Sequence, residues 1–168
     1  MSSKIPTRKI LIGLAVVAAA PVVMAAGQST NLATLQVMKA AKPGLWQHSF
    51  ATIPANPAAK PYSEKGCVSQ AALTQMINQA ASPSGQDYTC EIQMKSDFAT
   101  KAEGVIHCPA VQIPALGVNA PAGDLPILIE KSGNEEHWVV SVKTPAVPGS
   151  VPAATWRHEY RRLGSCPG

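Results

Sequence analysis

The 168-residue chain carries 14 Lys+Arg against 10 Asp+Glu, a formal net charge of +4. Three of those cations, Lys4, Arg8 and Lys9, lie in residues 1–26, which hold no acid, so the remaining 142 residues carry 11 basic and 10 acidic side chains. That balance excludes the basic stripe on which nucleic-acid binding depends, and the length suits one domain around a single core.

The chain opens with those cations and an apolar run, Ile10 to Met24, broken by Gly13 and Pro21 and followed by Ala25 and Ala26. The run is shorter than the ~20 residues that span a bilayer. This layout predicts a secretory signal peptide, 1–26, cleaved on export to the periplasm, so that the chain meets a membrane only before cleavage. One domain, 27–168, follows. It keeps four cysteines, Cys67, Cys90, Cys108 and Cys166. An even count in an exported chain reads as two disulfides, with three pairings open. No C-x-x-C occurs, which removes redox and zinc-ribbon readings.

In chain order, Gln28 to Lys42 is a short helix or a lead-in, with Leu32, Leu35 and Met38 at helical spacing, closed by Pro43. Leu45 to Ile53 alternates as a strand with Trp46, His48 and Phe50 on one face. Pro54, Pro57 and Pro61 mark a connection that cannot be a central strand. Cys67 to Ala80 predicts a helix, with Ser69 as N-cap and Leu73, Met76, Ile77 and Ala80 as its buried stripe; Ser82 to Gly85 stops it. Tyr88 to Lys95 and Ala102 to Cys108 alternate as a hairpin. Setting Ile92 opposite residues 104–106 brings Cys90 opposite Cys108, within the Cα separation a disulfide accepts. Cys67 then pairs with Cys166. Pro109 to Pro126 reads as a long structureless loop. Leu125 to Glu130 and His137 to Lys143 form a second hairpin, with Glu135 and Glu136 solvated in its turn and Trp138, Val140 and Val142 sharing a face. After Pro145 to Pro152, the strand Thr155 to Leu163 puts Trp156, His158 and Tyr160 on one face. The expected fold is α+β: a curved antiparallel β-meander of about six strands with one covering helix and two disulfides.

Four motifs recur in order: Lys42 to Trp46 (KPGLW), the Cys67 to Ala72 helix start, Cys90 with Cys108, and Arg162 to Pro167 (RLGSCP). Together they resemble the DUF3617 family, small exported bacterial proteins of unknown function. Ser69-Gln70-Ala71 stands where that family commonly has T-P-E, and Ser165 where it has Asp. The resemblance implies compartment and fold and carries no reaction.

Two W-x-H-x-aromatic stretches, Trp46-His48-Phe50 and Trp156-His158-Tyr160, are either core strands or two halves of a site. If the first and last strands are neighbours, His48 and His158 approach each other, and His107 or His137 would be needed to complete a metal site. No H-x-H or H-x-x-x-H spacing occurs, so no metal is assigned. Gly44-x-Trp46 is also similar to the first strand of lipocalin-like barrels, where a basic residue of the last strand (here Arg157, Arg161 or Arg162) covers the indole. That likeness implies an apolar ligand. No G-x-S-x-G or phosphate-binding Gly loop is present, and His158 and Glu159 point to opposite faces. The expectation is no enzyme and no cofactor, but a binding or envelope-maintenance module whose partner is a small apolar ligand or an envelope protein. The alternatives are an inhibitor-like protein presenting loop 109–126, and a His-metal protein.

Overall fold

The computed structural model describes residues 30–56, 59–80, 90–113, 118–132, 136–146 and 152–167. The leader 1–26, the Ser82–Gly85 helix stop, Tyr88, Thr89 and the Gly133–Asn134 turn lie outside the described residues.

The strands are β1 (Gly44–Ile53), β2 (Tyr62–Val68), β3 (Glu91–Asp97), β4 (Lys101–Cys108), β5 (Val111–Ile113), β6 (Val118–Ala120), β7 (Gly123–Lys131), β8 (His137–Thr144) and β9 (Ala154–Gly164). Seven of them form one antiparallel sheet in the order β2-β1-β9-β8-β7-β4-β3, and β5 pairs only with β6. Among the described residues the sheet is open, with β2 and β3 as edges. The fold is therefore mostly β, with one helix, α1 (Gln70–Ala80), and two disulfides, Cys67–Cys166 and Cys90–Cys108.

Three expectations are corrected. The sheet has seven strands rather than about six, because Tyr62–Val68 is a strand that continues through Cys67. Cys67 thus lies within β2, which ends at Val68, rather than opening the helix, which begins one residue after Ser69; the Ser69 hydroxyl accepts from Ala72 N at 3.3 Å. Loop 109–126 is not structureless, since it holds the β5–β6 hairpin and its last residue, Pro126, lies in β7. Pro126 is accommodated in a central strand because β8 pairs with β7 only from Ile127 onward, so no β8 partner stands opposite it.

Strand alternation sends one row of side chains from each strand to a common face. Trp46, Trp138, Tyr160, Val140, Val142, Ile127, Ile129, Ala102 and Ile106 are buried there. Helix α1 lays Leu73, Ile77 and Ala80 onto this face, as its i, i+4, i+7 spacing requires. Two 3-10 turns, Leu32–Thr34 and Gln36–Met38, add Leu32, Leu35, Val37 and Met38. Their anchors are polar: Trp138 Nε1 donates to Val37 O at 2.7 Å, and both Asp97 carboxylate oxygens accept from Gln36 N at 2.8 and 2.9 Å. Thr30 N donates to Ile92 O on edge strand β3 at 2.9 Å.

Two glycines allow close approach. Gly44 has φ +151°, and a Cβ there would run into the Gly164 carbonyl and Arg162 Nε, which explains the Pro-Gly before Trp46. At Gly104, opposite the β3 irregularity between Met94 and Ser96, a Cβ would stand 2.5 Å from Gln93 O and 2.8 Å from Met94 Sδ. Gly104→Ala is expected to lower stability by about 1–3 kcal/mol through overpacking, read as a lower urea midpoint at unchanged slope.

Candidate functional site

Strands β2, β1 and β9 present two adjacent rows on the core face. Glu64, His48 and Tyr160 lie across the strands in one row, and Tyr62, Phe50 and His158 in the next. Their rings are in continuous contact. His48 stacks on Tyr160 (4.5 Å, 10°) and meets Tyr62 edge-on (5.3 Å, 89°). Phe50 touches Tyr62 at 5.5 Å, His158 at 4.9 Å and Trp156 at 5.8 Å. Five of the six aromatic and histidine positions singled out from sequence therefore form one cluster with Tyr62. The sixth, Trp46, is in the core, 5.5 Å from Trp138.

The two histidines face each other along the diagonal, His48 Nε2 to His158 Nδ1, at 3.1 Å. Ring centroids 5.4 Å apart with planes within 17° place the imidazoles nearly edge to edge, so this is an in-plane N–H···N hydrogen bond rather than a face-to-face stack. One nitrogen donates and the other accepts. Glu64 Oε1 lies 3.6 Å from the far nitrogen of His48, Nδ1; the imidazole is 11% exposed and the carboxylate side chain 72%. Burial lowers the His48 pKa, partly offset by Glu64. Burial, and then the neighbouring His48, push His158 down to about 4. Burial raises the Tyr160 hydroxyl, with Tyr62 adding to the effect. Both histidines are thus neutral at pH 7.

A neutral folded His158 has a stability consequence. Between pH 6.5 and about 4 the unfolded chain binds the proton that the folded chain refuses. The stabilisation is complete above pH 6.5 and is lost as pH falls toward 4, by at most about 3 kcal/mol. His158→Phe is expected to flatten this part of the pH dependence when urea midpoints at pH 7.5 and 4.5 are compared. A difference equal to that of the unsubstituted chain would reject the assignment.

The inward nitrogens, 3.1 Å apart, serve each other as donor and acceptor. Among the described residues no group of three or more His, Cys, Asp or Glu is placed to hold a metal. His107 and His137 lie on the opposite sheet face, where His107 Nδ1 meets Asp124 at 2.7 Å and His137 Nε2 meets Glu159 at 2.7 Å. Of the three arginines, Arg162 is the cross-strand neighbour of Trp46 on the core face. Arg157 and Arg161 belong to the opposite face, and Arg162 donates to Pro43 O at 3.1 Å and to Glu136 at 2.8 Å. Glu136 is correspondingly a half-buried ion-pair partner rather than a solvated turn residue. The cation over an indole is Lys131, 5.8 Å from the Trp138 ring.

Beside the ring cluster a cleft of about 150 Å³ opens between β1, β2 and α1, lined by Trp46, His48, Glu64, Lys65, Gly66, Val68 and Met76. An apolar cavity of about that volume accommodates benzene. Its lining is apolar toward Trp46, Val68 and Met76 and polar toward Glu64 and His48. At Gly66 an added Cβ would meet nothing within 4 Å. Sequence reasoning missed Tyr62, Glu64, Gly66 and Val68 because it missed β2; their period of two was the available signal, blurred by the charges of Glu64 and Lys65 and by the glycine. The disulfides indicate an oxidising, extracellular-type environment. Among the described residues no helix is long and apolar enough to cross a membrane. No family model, no curated protein and no solved structure matches the chain.

Proposed function

We propose that this protein is a non-catalytic binding module of the periplasm, with the compartment and fold that its resemblance to DUF3617 proteins implies, and that it holds a small, largely apolar ligand of about one ring. The cleft beside the His48–Tyr62–Tyr160 rings carries this reading, because it joins an apolar wall to a carboxylate and an imidazole at a scale that fits a single ring. The non-catalytic reading is supported by the histidines. Their facing nitrogens are taken up by each other, and the Ser49 and Ser63 hydroxyls, 2.9 Å apart, belong to the opposite face.

Single-ring probes test it: toluene, phenol and benzylamine, added to the oxidised chain and followed by methyl shifts of Val68 and Met76. Dissociation constants on the order of 0.1–1 mM are expected for ligands of this size. Gly66→Leu fills the cleft without a backbone clash and is expected to abolish the shifts at unchanged stability. Absence of any shift at saturating probe, or shifts that survive Gly66→Leu, would sink the reading. The β5–β6 hairpin supports a second reading, in which segment 109–126 is presented to an envelope protein. That reading predicts resistance of 109–126 to limited proteolysis.

A further inference from the structure

We propose that His48 and His158 form an acid-operated latch on the cleft: one proton between the two imidazoles holds the wall in place, and a second proton releases His48 toward Glu64. The proposal rests on the binding reading only for its purpose; the latch itself is a property of the wall.

The argument begins with the edge-to-edge geometry. At 3.1 Å, with rings nearly coplanar, the contact is attractive only while one nitrogen keeps a lone pair. Protonating either ring fully leaves one bridging N–H still served by the other ring. Protonating both sets N–H against N–H, and the attraction becomes repulsion between like charges. The two histidines are not equivalent in this contest. His158 is surrounded by Phe50, Tyr160 and the buried Val140 opposite it, while His48 has the Glu64 carboxylate 3.6 Å from its outer nitrogen. A cationic His48 therefore has a partner within a small movement, and closing 3.6 Å to a charge-assisted bond of about 2.8 Å draws it toward the cleft mouth. Because His48 is itself a wall of the cleft, that movement changes the cleft.

Among the described residues, the groups facing the pair come from the strands on either side and from α1. Strand β2 contributes Tyr62 and Glu64, with Lys65 at the cleft; β9 contributes Tyr160 and, one row beyond it, Arg162, which is paired with Glu136; α1 contains no acid or base. Both tyrosines stay protonated in acid, since each hydroxyl is shifted upward. Glu64 is thus the group that answers a charged His48. The depressed values of both histidines agree with a pair kept neutral until the medium is distinctly acidic. The latch opens when His158 joins His48 in the protonated state.

The test needs no ligand. Ring-nitrogen NMR of the oxidised chain from pH 8 to 3 follows both histidines, and the methyls of Val68 and Met76 report the cleft while those of Ile127 and Ile129 report the core. The expected result is that His48 titrates first with the bridging proton signal retained, and that the signal is lost and the cleft methyls shift, with the core methyls unmoved, as His158 takes the second proton. Glu64→Gln, on an exposed side chain, is expected to lower the proton affinity of His48 about three- to ten-fold. In His158→Phe the cleft methyls are expected to lose this pH dependence. Two histidines titrating independently near 6.5, cleft methyls that stay still while His158 titrates, or a Glu64→Gln chain that titrates like the unsubstituted one would each overturn the proposal. Failure of the single-ring probes to bind leaves these readouts intact, so the two proposals fail separately.

Discussion

Trp138→Ala is expected to remove about 3–5 kcal/mol of stability, the largest loss from any single truncation in the core. The indole is fully buried, packs 5.5 Å from Trp46, and donates to Val37 O at 2.7 Å. Truncation therefore opens a cavity among Trp46, Tyr160 and the 3-10 turns, and also strands a buried carbonyl, which by itself costs about 1–3 kcal/mol. Trp138→Phe keeps most of the volume and separates the two contributions. Trp156→Ala is the control. Trp156 only packs against the edge of the core, so its loss is expected to cost clearly less. Urea unfolding with both disulfides intact measures all three variants. Equal losses for Trp138→Ala and Trp156→Ala would show that the anchor has been misplaced. Against a usual total of about 5–15 kcal/mol, Trp138→Ala alone brings the chain near its folding threshold.

The second large effect belongs to the Cys67–Cys166 bridge. It joins residues 99 apart, whereas Cys90–Cys108 joins residues 18 apart. In the chain-entropy account the longer loop is worth about 4.7 kcal/mol and the shorter about 3 kcal/mol. Cys67→Ser with Cys166→Ser should therefore destabilise more than Cys90→Ser with Cys108→Ser, by thermal or urea melts of the two double variants. The geometry adds to the expectation. Cys67 lies on edge strand β2 opposite Leu45, and Leu45 is in turn opposite Gly164, so the bridge spans β1 and fixes its first residues between two neighbours. The reverse ranking would mean that the β1–β9 ladder already holds this corner without the bridge.

Much of this was legible from residue patterns, for identifiable reasons. β1 and β9 carry aromatic residues at alternate positions, so burial and periodicity agree. The Cys90–Cys108 pair follows from a hairpin register that its own Ile92 and Ile106 enforce by burial. β2 was illegible because nearly all of it is exposed: an edge strand reading YSEKGCV buries no stripe, and its last residues resemble a helix start. Pro126 misled for a different reason, since a proline in a central strand is tolerable only where one neighbour has stopped pairing, and that depends on β8. The histidine pair was foreseen as a proximity. Its edge-to-edge geometry was not, because it depends on His48 lying opposite Tyr160 while Phe50 lies opposite His158, a register set by the whole β1–β9 ladder.

The strand order also governs how the chain assembles. β3, β4, β7, β8 and β9 follow one another across the sheet, but β1 and β2, made first, dock beyond β9, made last. As the polypeptide emerges, the β1–β2 hairpin waits through the synthesis of every other strand for the surface it completes, with Trp46 exposed. Such remote pairing slows folding and prolongs the exposure of apolar surface. The long disulfide joins β2 to the segment after β9, so the same docking brings Cys67 and Cys166 within bonding distance.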